Sequence, residues 1–354
     1  MNNVLLLSHE MSRTGAPVAL LNMAKQLKKE GIFLTVLSPQ DGAMVQDVVA
    51  EDIAVVIDST IGGNTEWLNW ASDFDLIVVN TVVPYHNIEQ LKKTQIPVLW
   101  WIHDGEMSFQ LGANELLPKE LTDNIHVYGG GQYACDIVNH YRPAYGARNL
   151  LYNVPDIMAE GQKKLSYEIP NPAGRKIVST IGSVDKRKGQ DVFVDAIRLL
   201  DKEEREQCLF VFVGRGNDEA VYQKVQDLKN DFPDDVFLVT EVTHSEIVDV
   251  YKQSAVVICA SRDDPMPVFM TECLMLSVPV ICSTNTGTYA LLQDGKNGLT
   301  FKSEDVEGLR DKIRFAIHNE EELKQIGKCG REVYENNFTD EAFSKALKQV
   351  IENL

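Results

Sequence analysis

Short apolar runs separated by amphipathic stretches are the feature that most limits what this chain can become. "NVLLLS" (3–8), "FLTVLS" (33–38), "DLIVVN" (75–80) and "PVLWWIH" (97–103) read as buried strands, with "HVYGG" (126–130) as a further candidate. Between the first two lies "PVALLNMAKQLKKEG" (17–31), which reads as a helix. Its apolar positions 20, 21, 24 and 27 follow helical spacing, lysines fill the other face and the last turn, and Gly31 stops it. The pattern then begins again. "NPAGRKIVSTIGS" (171–183) delivers a strand into a loop, and "QDVFVDAIRLL" (190–200) is helical. "CLFVFVG" (208–214), "DVFLVT" (235–240), "AVVICAS" (255–261) and "VPVICS" (278–283) are further strands. Alternation of this kind predicts parallel sheets with crossover helices. The stretch 155–172, with Pro155, Pro170 and Pro172, reads as the connection between two halves. The expectation is two doubly wound α/β domains, with a cleft between them as the default ligand site.

Composition narrows the function classes. A chain of 354 residues accommodates two ordinary domains. No apolar run reaches the roughly 18 residues of a membrane span. The start "MNNVLLLSHE" lacks the basic opening and small-residue cleavage site of a signal peptide, so a cytoplasmic protein is expected. The net charge of −18 argues against a nucleic-acid partner and gives no support to broad docking on anionic membrane. Neither half, split at 155, is basic: 9 basic against 17 acidic residues precede the split, and 25 against 35 follow it. The six cysteines form no CxxC pair and have no histidine at metal-ligand spacing, so they are expected as reduced core thiols, and no metal site is expected.

Ligands of open α/β sheets bind beyond the carboxyl ends of the strands, which directs attention to four loops. In "SHEMSRTGAPVAL" (8–20), the small residues Gly15 and Ala16 precede a helix with Pro17 near its first position. They leave room for a phosphate or sugar to approach backbone N–H groups. A tight strand-to-helix turn accounts for the same residues, and the absence of GxGxxG weighs against a dinucleotide dehydrogenase. In "IGSVDKRKGQDVF" (181–193), Arg187 and Lys188 can neutralise a diphosphate, one bidentately and one as a point charge. A solvated charge pair is the plainer alternative. "VGRGND" (213–218) carries only a lone GxG. In "SRDDPMPVFMTECLMLSVPVICS" (261–283), Pro265 and Pro267 preset the backbone before a helix expected to start near Val268. Glu272 sits about one turn in, where its carboxylate can accept from paired hydroxyls, and Asp264 in the loop can hold a second hydroxylated group. A diphosphate flanked by two polyol rings, as in a nucleotide-sugar, satisfies all three features. Otherwise Asp264 caps the helix and Glu272 is a solvated first-turn acid. The apolar neighbours of Glu272 point instead to a half-buried carboxylate.

These residues resemble the retaining glycosyltransferases of family four, also described as glycosyl transferases group 1. "SRDDPMPVFMTECLMLSVPVICS" is similar to the family's Glu-x7-Glu signature, and "GSVDKRKGQDVFVDAI" to its Lys-Gly loop. "TNTGTYALLQDGKNGLTF" (284–301) resembles the segment ending in Asn-Gly-Leu, and "SHEMSRTGAPVALLNMAKQL" the first phosphate-side loop and helix. The resemblance implies the GT-B fold: two Rossmann-like, doubly wound parallel-sheet domains facing a central cleft. It places the acceptor-side domain at 1–155 plus about 338–354 and the donor-binding domain at 156–337, with 334–354 as a C-terminal helix crossing back.

By resemblance, Glu272 holds the donor ribose, and Asp264 contacts hydroxyls of the transferred sugar. Arg187 and Lys188 pair with the diphosphate, supported by amides from Met266 through Pro267 and Val268 to Phe269. Gly15 and Ala16 approach the donor from the first domain, and Ser183, Gly214 and Val242 complete the donor-binding set. His103, in "WWIHDGEM", matches a histidine facing sugar and acceptor; a satisfied histidine at a strand end is the alternative. Three departures stand out. Asp264 is one methylene shorter than the usual Glu, Ser183 replaces a common arginine, and Ala290 falls where many relatives carry an acid.

The implied activity is metal-independent sugar transfer with retention, without a cofactor. The donor is a nucleotide-sugar, UDP-linked by preference over dTDP or GDP, and the acceptor is a glycan, lipid-linked or protein-borne hydroxyl. The implied setting is bacterial surface polysaccharide or glycoprotein assembly, in the cytoplasm or at the inner face of the membrane with at most peripheral contact. The rival readings are a catalytically inactive GT-B partner that binds sugar or protein, and a nucleotide-sugar epimerase.

Overall fold

The computed structural model describes residues 1–157, 169–171, 173–240 and 242–354. Pro172 and most of the expected 155–172 connection lie outside these residues. The chain forms two compact units, Met1–Val154 with Asn337–Leu354, and Pro155–Asn336.

The first unit is built on strands β1 (Asn3–Leu7), β2 (Phe33–Ser38), β3 (Ala54–Ile57), β4 (Leu76–Asn80), β5 (Val98–Ile102), β6 (Ile125–Gly129) and β7 (Arg148–Asn149). They form one parallel sheet in the order β3-β2-β1-β4-β5-β6-β7. The second unit uses β8 (Lys176–Ile181), β9 (Cys208–Val213), β10 (Val236–Val239), β11 (Ser254–Cys259), β12 (Val280–Ser283) and β13 (Leu299–Phe301). Their order is β10-β9-β8-β11-β12-β13, again parallel throughout. In each sheet the order reverses once, between β1 and β4 and between β8 and β11. Chain leaving the two neighbours turns to opposite sides there, which opens a crevice at the carboxyl edge.

The central strands are apolar because helices cover both faces. Every residue of LIVVN, VLWWI and CLFVFV is buried. At roughly 1.5–3 kcal/mol for each fully buried large aliphatic side chain, these strands supply much of the driving force for folding. Three strands carry no such signal. β3 is a mostly exposed edge of four residues, β7 has two residues, and β13 has three.

The first helix runs Gly15–Lys29, so it begins two residues before the expected 17. Thr14 supplies the extended N-terminal residue, and Val18 N–H already donates to the Thr14 carbonyl at 3.1 Å. Pro17 therefore sits within the first turn, where its missing N–H costs nothing. Gly31 follows the helix in a left-handed conformation (φ 80°), which only glycine adopts cheaply.

The expected single helix over 334–354 is two. One ends at Asn337, and the next, Asp340–Ile351, is capped by the Thr339 hydroxyl accepting from Ala342 N–H at 3.2 Å. That last helix belongs to the first unit's core. Val154 N–H donates to the Phe338 carbonyl at 2.9 Å, and Asn153 Nδ2 to Asp340 Oδ1 at 2.8 Å. The Phe343 ring stacks on Trp101 of β5 with centroids 6.0 Å apart. Both rings are buried. Phe343→Ala is expected to destabilise the protein by about 3–5 kcal/mol, read as a lowered urea midpoint.

Candidate functional site

In the second unit the crevice at the β8–β11 switch point is walled by the loops leaving β8, β9 and β11. β8 runs out into Gly182 and Ser183, and the chain turns through 185–189 into the helix Gln190–Arg198. Asp185 holds that turn, accepting from Ser183 Oγ at 2.7 Å and from Lys188 N–H at 2.9 Å. Gly189 closes it with φ 70°, and a Cβ there would lie 2.1 Å from the Ala260 carbonyl oxygen. The turn thus rests directly on the backbone that leaves β11. Gly214, after β9, is crowded in the same way by the Gly182 carbonyl.

The chain leaving β11 passes through Arg262, Asp263 and Asp264 to Pro267, which precedes the helix Val268–Met275. The first-turn N–H groups of that helix have no intrahelical acceptor and face the loop end. Asp264 does not cap this helix. It is fixed between Asn285 and Gly287, with its own N–H on the Asn285 carbonyl at 3.1 Å and its carbonyl taking Gly287 N–H at 3.0 Å. Its buried carboxylate meets Lys188 Nζ at 2.5 Å and Arg187 Nη1 at 3.9 Å. Arg187 Nη1 also donates to the Asp263 carbonyl at 3.0 Å.

Glu272 is more deeply placed than the expected half-burial, at 3% exposure. An ionised carboxylate at that depth needs hydrogen bonds. Tyr251, on the helix His244–Gln253, supplies one: its Oη donates to Glu272 Oε2 at 2.6 Å. Burial, and then the Glu272 charge, push the Tyr251 phenol well above its ordinary range, so it stays protonated as a donor.

A cavity of about 820 Å³ opens over these groups, a size suited to a small-molecule ligand. Of the residues expected at the donor site, Ser183, Gly214, Val242, Val268, Phe269 and Glu272 line it. Arg187, Lys188, Asp264, Met266 and Pro267 stand in the adjoining loops rather than in its wall. Arg215, Glu246 and Tyr251 line it and were not singled out in the sequence. Arg215 lay in the weak "VGRGND" loop, while Tyr251 and Glu246 stand on a helix that offered no motif. Among the described lining residues Arg215 is the one cation. Ala290 is exposed, in the short helical turn Gly287–Leu291.

His103, Gly15 and Ala16 belong to the first unit, at the carboxyl edge of its own sheet. A Cβ on Gly15 would meet nothing within 4 Å, so the position is open. The Ala16 carbonyl accepts from Asn80 Nδ2 at 2.8 Å, which ties the helix start to the end of β4. Thr81, next along, has φ 71°, an uncommon conformation for a β-branched residue. It is held by its N–H on the Trp101 carbonyl at 2.8 Å and by Trp100 Nε1 on its own carbonyl at 2.7 Å. His103 follows β5, its ring 4.3 Å from Trp101 and with Nδ1 against Gly130. Its Nε2 is buried with no hydrogen-bond partner among the described residues, as is His9 Nδ1. The alternative reading of a satisfied strand-end histidine would require a partner at this Nε2.

Among the described residues no group of three or more His, Cys, Asp or Glu side chains is placed to hold a metal ion. Among the described residues no helix is long and apolar enough to cross a membrane.

A family model described as Glycosyl transferases group 1 matches residues 162–333, and one described as Glycosyl-transferase family 4 matches residues 1–118. An uncharacterized glycosyltransferase of Methanocaldococcus jannaschii is 26% identical over 176 residues, 49% of this chain and 47% of that protein. Spore coat protein SA of Bacillus subtilis is 26% identical over 186 residues, 51% of this chain and 49% of the relative. The chain thus spans about half the length of these curated relatives. In fold it is similar to Anabaena HepE in complex with UDP, with a TM-score of 0.80 and 14% identity over 100% of both chains. It is also similar to the apo form of the lipopolysaccharide outer core galactosyltransferase WaaB, with a TM-score of 0.75 and 12% identity over 100% of both chains. The two Rossmann-like units are those of the GT-B fold.

Burial, and secondarily the charge of His9, hold the His103 imidazole down at about 3. An unfolded imidazole titrates near 6.5, so acid protonates the unfolded chain first. The contribution of neutral His103 to stability is complete above about pH 6.5. It is lost as pH falls toward 3, at about 1.4 kcal/mol per pH unit. Urea unfolding from pH 7 to pH 5 should show this slope, and His103→Gln should flatten it.

Proposed function

The chain belongs to the glycosyl transferases group 1 family, and on that footing we propose that it moves a sugar from a nucleotide-sugar to an acceptor hydroxyl with retention at the anomeric carbon. The observation that carries this reading is Glu272: a carboxylate at 3% exposure, tethered by Tyr251, in the wall of a ligand-sized cavity. Such a group accepts from the two neighbouring hydroxyls of a ribose. Arg215, the cation of the cavity wall, and the first turn of the helix Val268–Met275 supply positive potential for the diphosphate.

At the other end of the diphosphate, Lys188 and Asp264 meet at 2.5 Å. In the proposed complex Lys188, with Arg187, neutralises the leaving phosphate while Asp264 accepts from a hydroxyl of the transferred sugar. The leaving oxygen takes the acceptor's proton on the same face, so retention needs no protein nucleophile. Charge develops on the diphosphate, and fixed cations and amides stabilise it there without reorganisation. In this scheme Met266 and Pro267 shape the loop, while Ser183, Gly214, Val242, Val268 and Phe269 line the donor pocket. His103 with Gly15 and Ala16 serves the sugar and acceptor side.

UDP is the favoured nucleotide, with dTDP and GDP as alternatives; UDP and UDP-glucose are bound by HepE, a protein of like fold. The acceptor is a glycan, lipid-linked or protein-borne hydroxyl, in bacterial surface polysaccharide or glycoprotein assembly.

UDP-, dTDP- and GDP-sugars should be screened by thermal shift and by release of free nucleotide. One donor is expected to raise the melting temperature and release its nucleotide; no binding by any would sink the reading. Glu272→Ala and Lys188→Ala are each expected to lower turnover by roughly 10²–10³. Because Arg187 and Lys188 carry the charge in this scheme, added EDTA is expected to leave the rate unchanged; its loss would place a metal in the mechanism.

A further inference from the structure

Lys188 and Asp264 lie 76 residues apart in sequence, on the loops that leave β8 and β11. Their contact lasts only if those two loops keep one relative position. Neither loop is regular structure, so something other than a strand ladder must fix them.

Arg262 does this from outside the cavity. Its guanidinium binds Asp191 at both ends, Nη1 to Oδ1 at 2.7 Å and Nη2 to Oδ2 at 2.9 Å. Nη1 also donates to the Lys186 carbonyl at 2.7 Å, and Nε to Glu304 Oε1 at 2.9 Å. Arg262 N–H donates to the Arg187 carbonyl at 2.8 Å. One residue of the second loop therefore holds the peptide carbonyls on either side of the Arg187 Cα and the first turn of the helix that follows.

The partners are themselves constrained. Asp191 is buried, with Lys186 Nζ also at 3.3 Å from its Oδ2. Burial drives the Asp191 carboxyl up, but the hydrogen bonds and charge of Arg262, followed by those of Lys186, outweigh it and leave the group below its ordinary range. Glu304 reaches Arg262 from a left-handed backbone conformation, φ 67°, that a glutamate rarely adopts. Gly189 lets the two loops touch backbone to backbone. Asn285 Nδ2 donates to the Arg262 carbonyl at 3.1 Å, extending the same brace toward Asp264.

We propose that Arg262 and Asp191 are positioning residues for the transfer step, holding Lys188 and Asp264 in register without touching the donor. The inference rests on the donor-site reading above and adds to it two residues that its own chemistry does not require. A one-ångström displacement of Lys188 is enough to remove its benefit to the departing phosphate, on the order of 10²-fold in rate.

A double-mutant cycle on the full chain tests this, using nucleotide release from the UDP-sugar together with the binding of UDP alone. Arg262→Ala is expected to lower kcat about tenfold to a hundredfold. Asp191→Asn, which keeps the side-chain shape, is expected to act in the same direction. Acting through Lys188, Arg262→Ala should cost less than about threefold more in a Lys188→Ala background. Losses that multiply in full in the double variant would make Arg262 a general stability element and overturn the proposal. So would an unchanged kcat in Asp191→Asn with its melting temperature preserved. Should Arg262→Ala not fold, the cycle is closed with Asp191→Asn and Lys188→Ala instead, under the same criteria. Wild-type protein that binds no UDP, dTDP or GDP overturns the donor-site reading and this one with it. Binding and turnover in the wild type with multiplying losses overturn only this one.

Discussion

The pairing of β8 with β11 is what the donor-site geometry depends on. These strands begin at residues 176 and 254, and their pairing sets two outgoing loops side by side at one edge of a sheet. The loop after β8 brings Arg187 and Lys188, and the loop after β11 brings Asp264 to meet them. Because the strand order reverses between them, no helix crosses over the gap. Backbone geometry therefore assembles a charged crevice before any ligand is considered, and the side chains refine it.

The refinement follows one rule at three buried carboxylates of the second unit: each is given a fixed partner. Glu272 has Tyr251, Asp264 has Lys188, and Asp191 has Arg262. In water such pairs are worth little, but behind walls that exclude solvent an unpartnered charge is costly. A site that must receive a strongly anionic ligand needs its cations held in place beforehand. Carboxylates are what hold them. In the first unit the corresponding edge adds imidazoles held neutral by burial, the Asn80 amide and a strained Thr81 to the Asp104 carboxylate, which accepts from Val82 N–H at 2.9 Å.

What the residues announced in advance follows from where each sits. Strands buried on both faces are written as unbroken apolar runs, so β1, β4, β5, β9 and β11 were legible. The exposed edge β3 and the short β7 and β13 have little burial to record and left no trace. Glu272 stood out because an acid among apolar neighbours must have a purpose. Arg262 did not, because an arginine in a polar loop looks the same whether it is solvated or holds four acceptors. Tyr251 was hidden for a related reason: on an amphipathic helix an aromatic is expected to be buried, and only coordinates show its hydroxyl aimed at a carboxylate. The start of the first helix was misplaced because Pro17 looks like a first residue, although proline fits any position of a first turn.

The last helix carries a consequence for how the protein comes into being. Residues 337–354 complete the first unit, yet the ribosome makes them after all of the second. Until Phe343 reaches Trp101, the first unit lacks part of its core and of the polar network around Asn153. The second unit suffers no such delay, since its chain is continuous. The usual order of vectorial folding, amino-terminal part first, therefore cannot run to completion here. The earlier-made sheet stays incomplete until the last helix arrives, and a nascent chain stalled just short of 337 would expose apolar surface on its oldest segment.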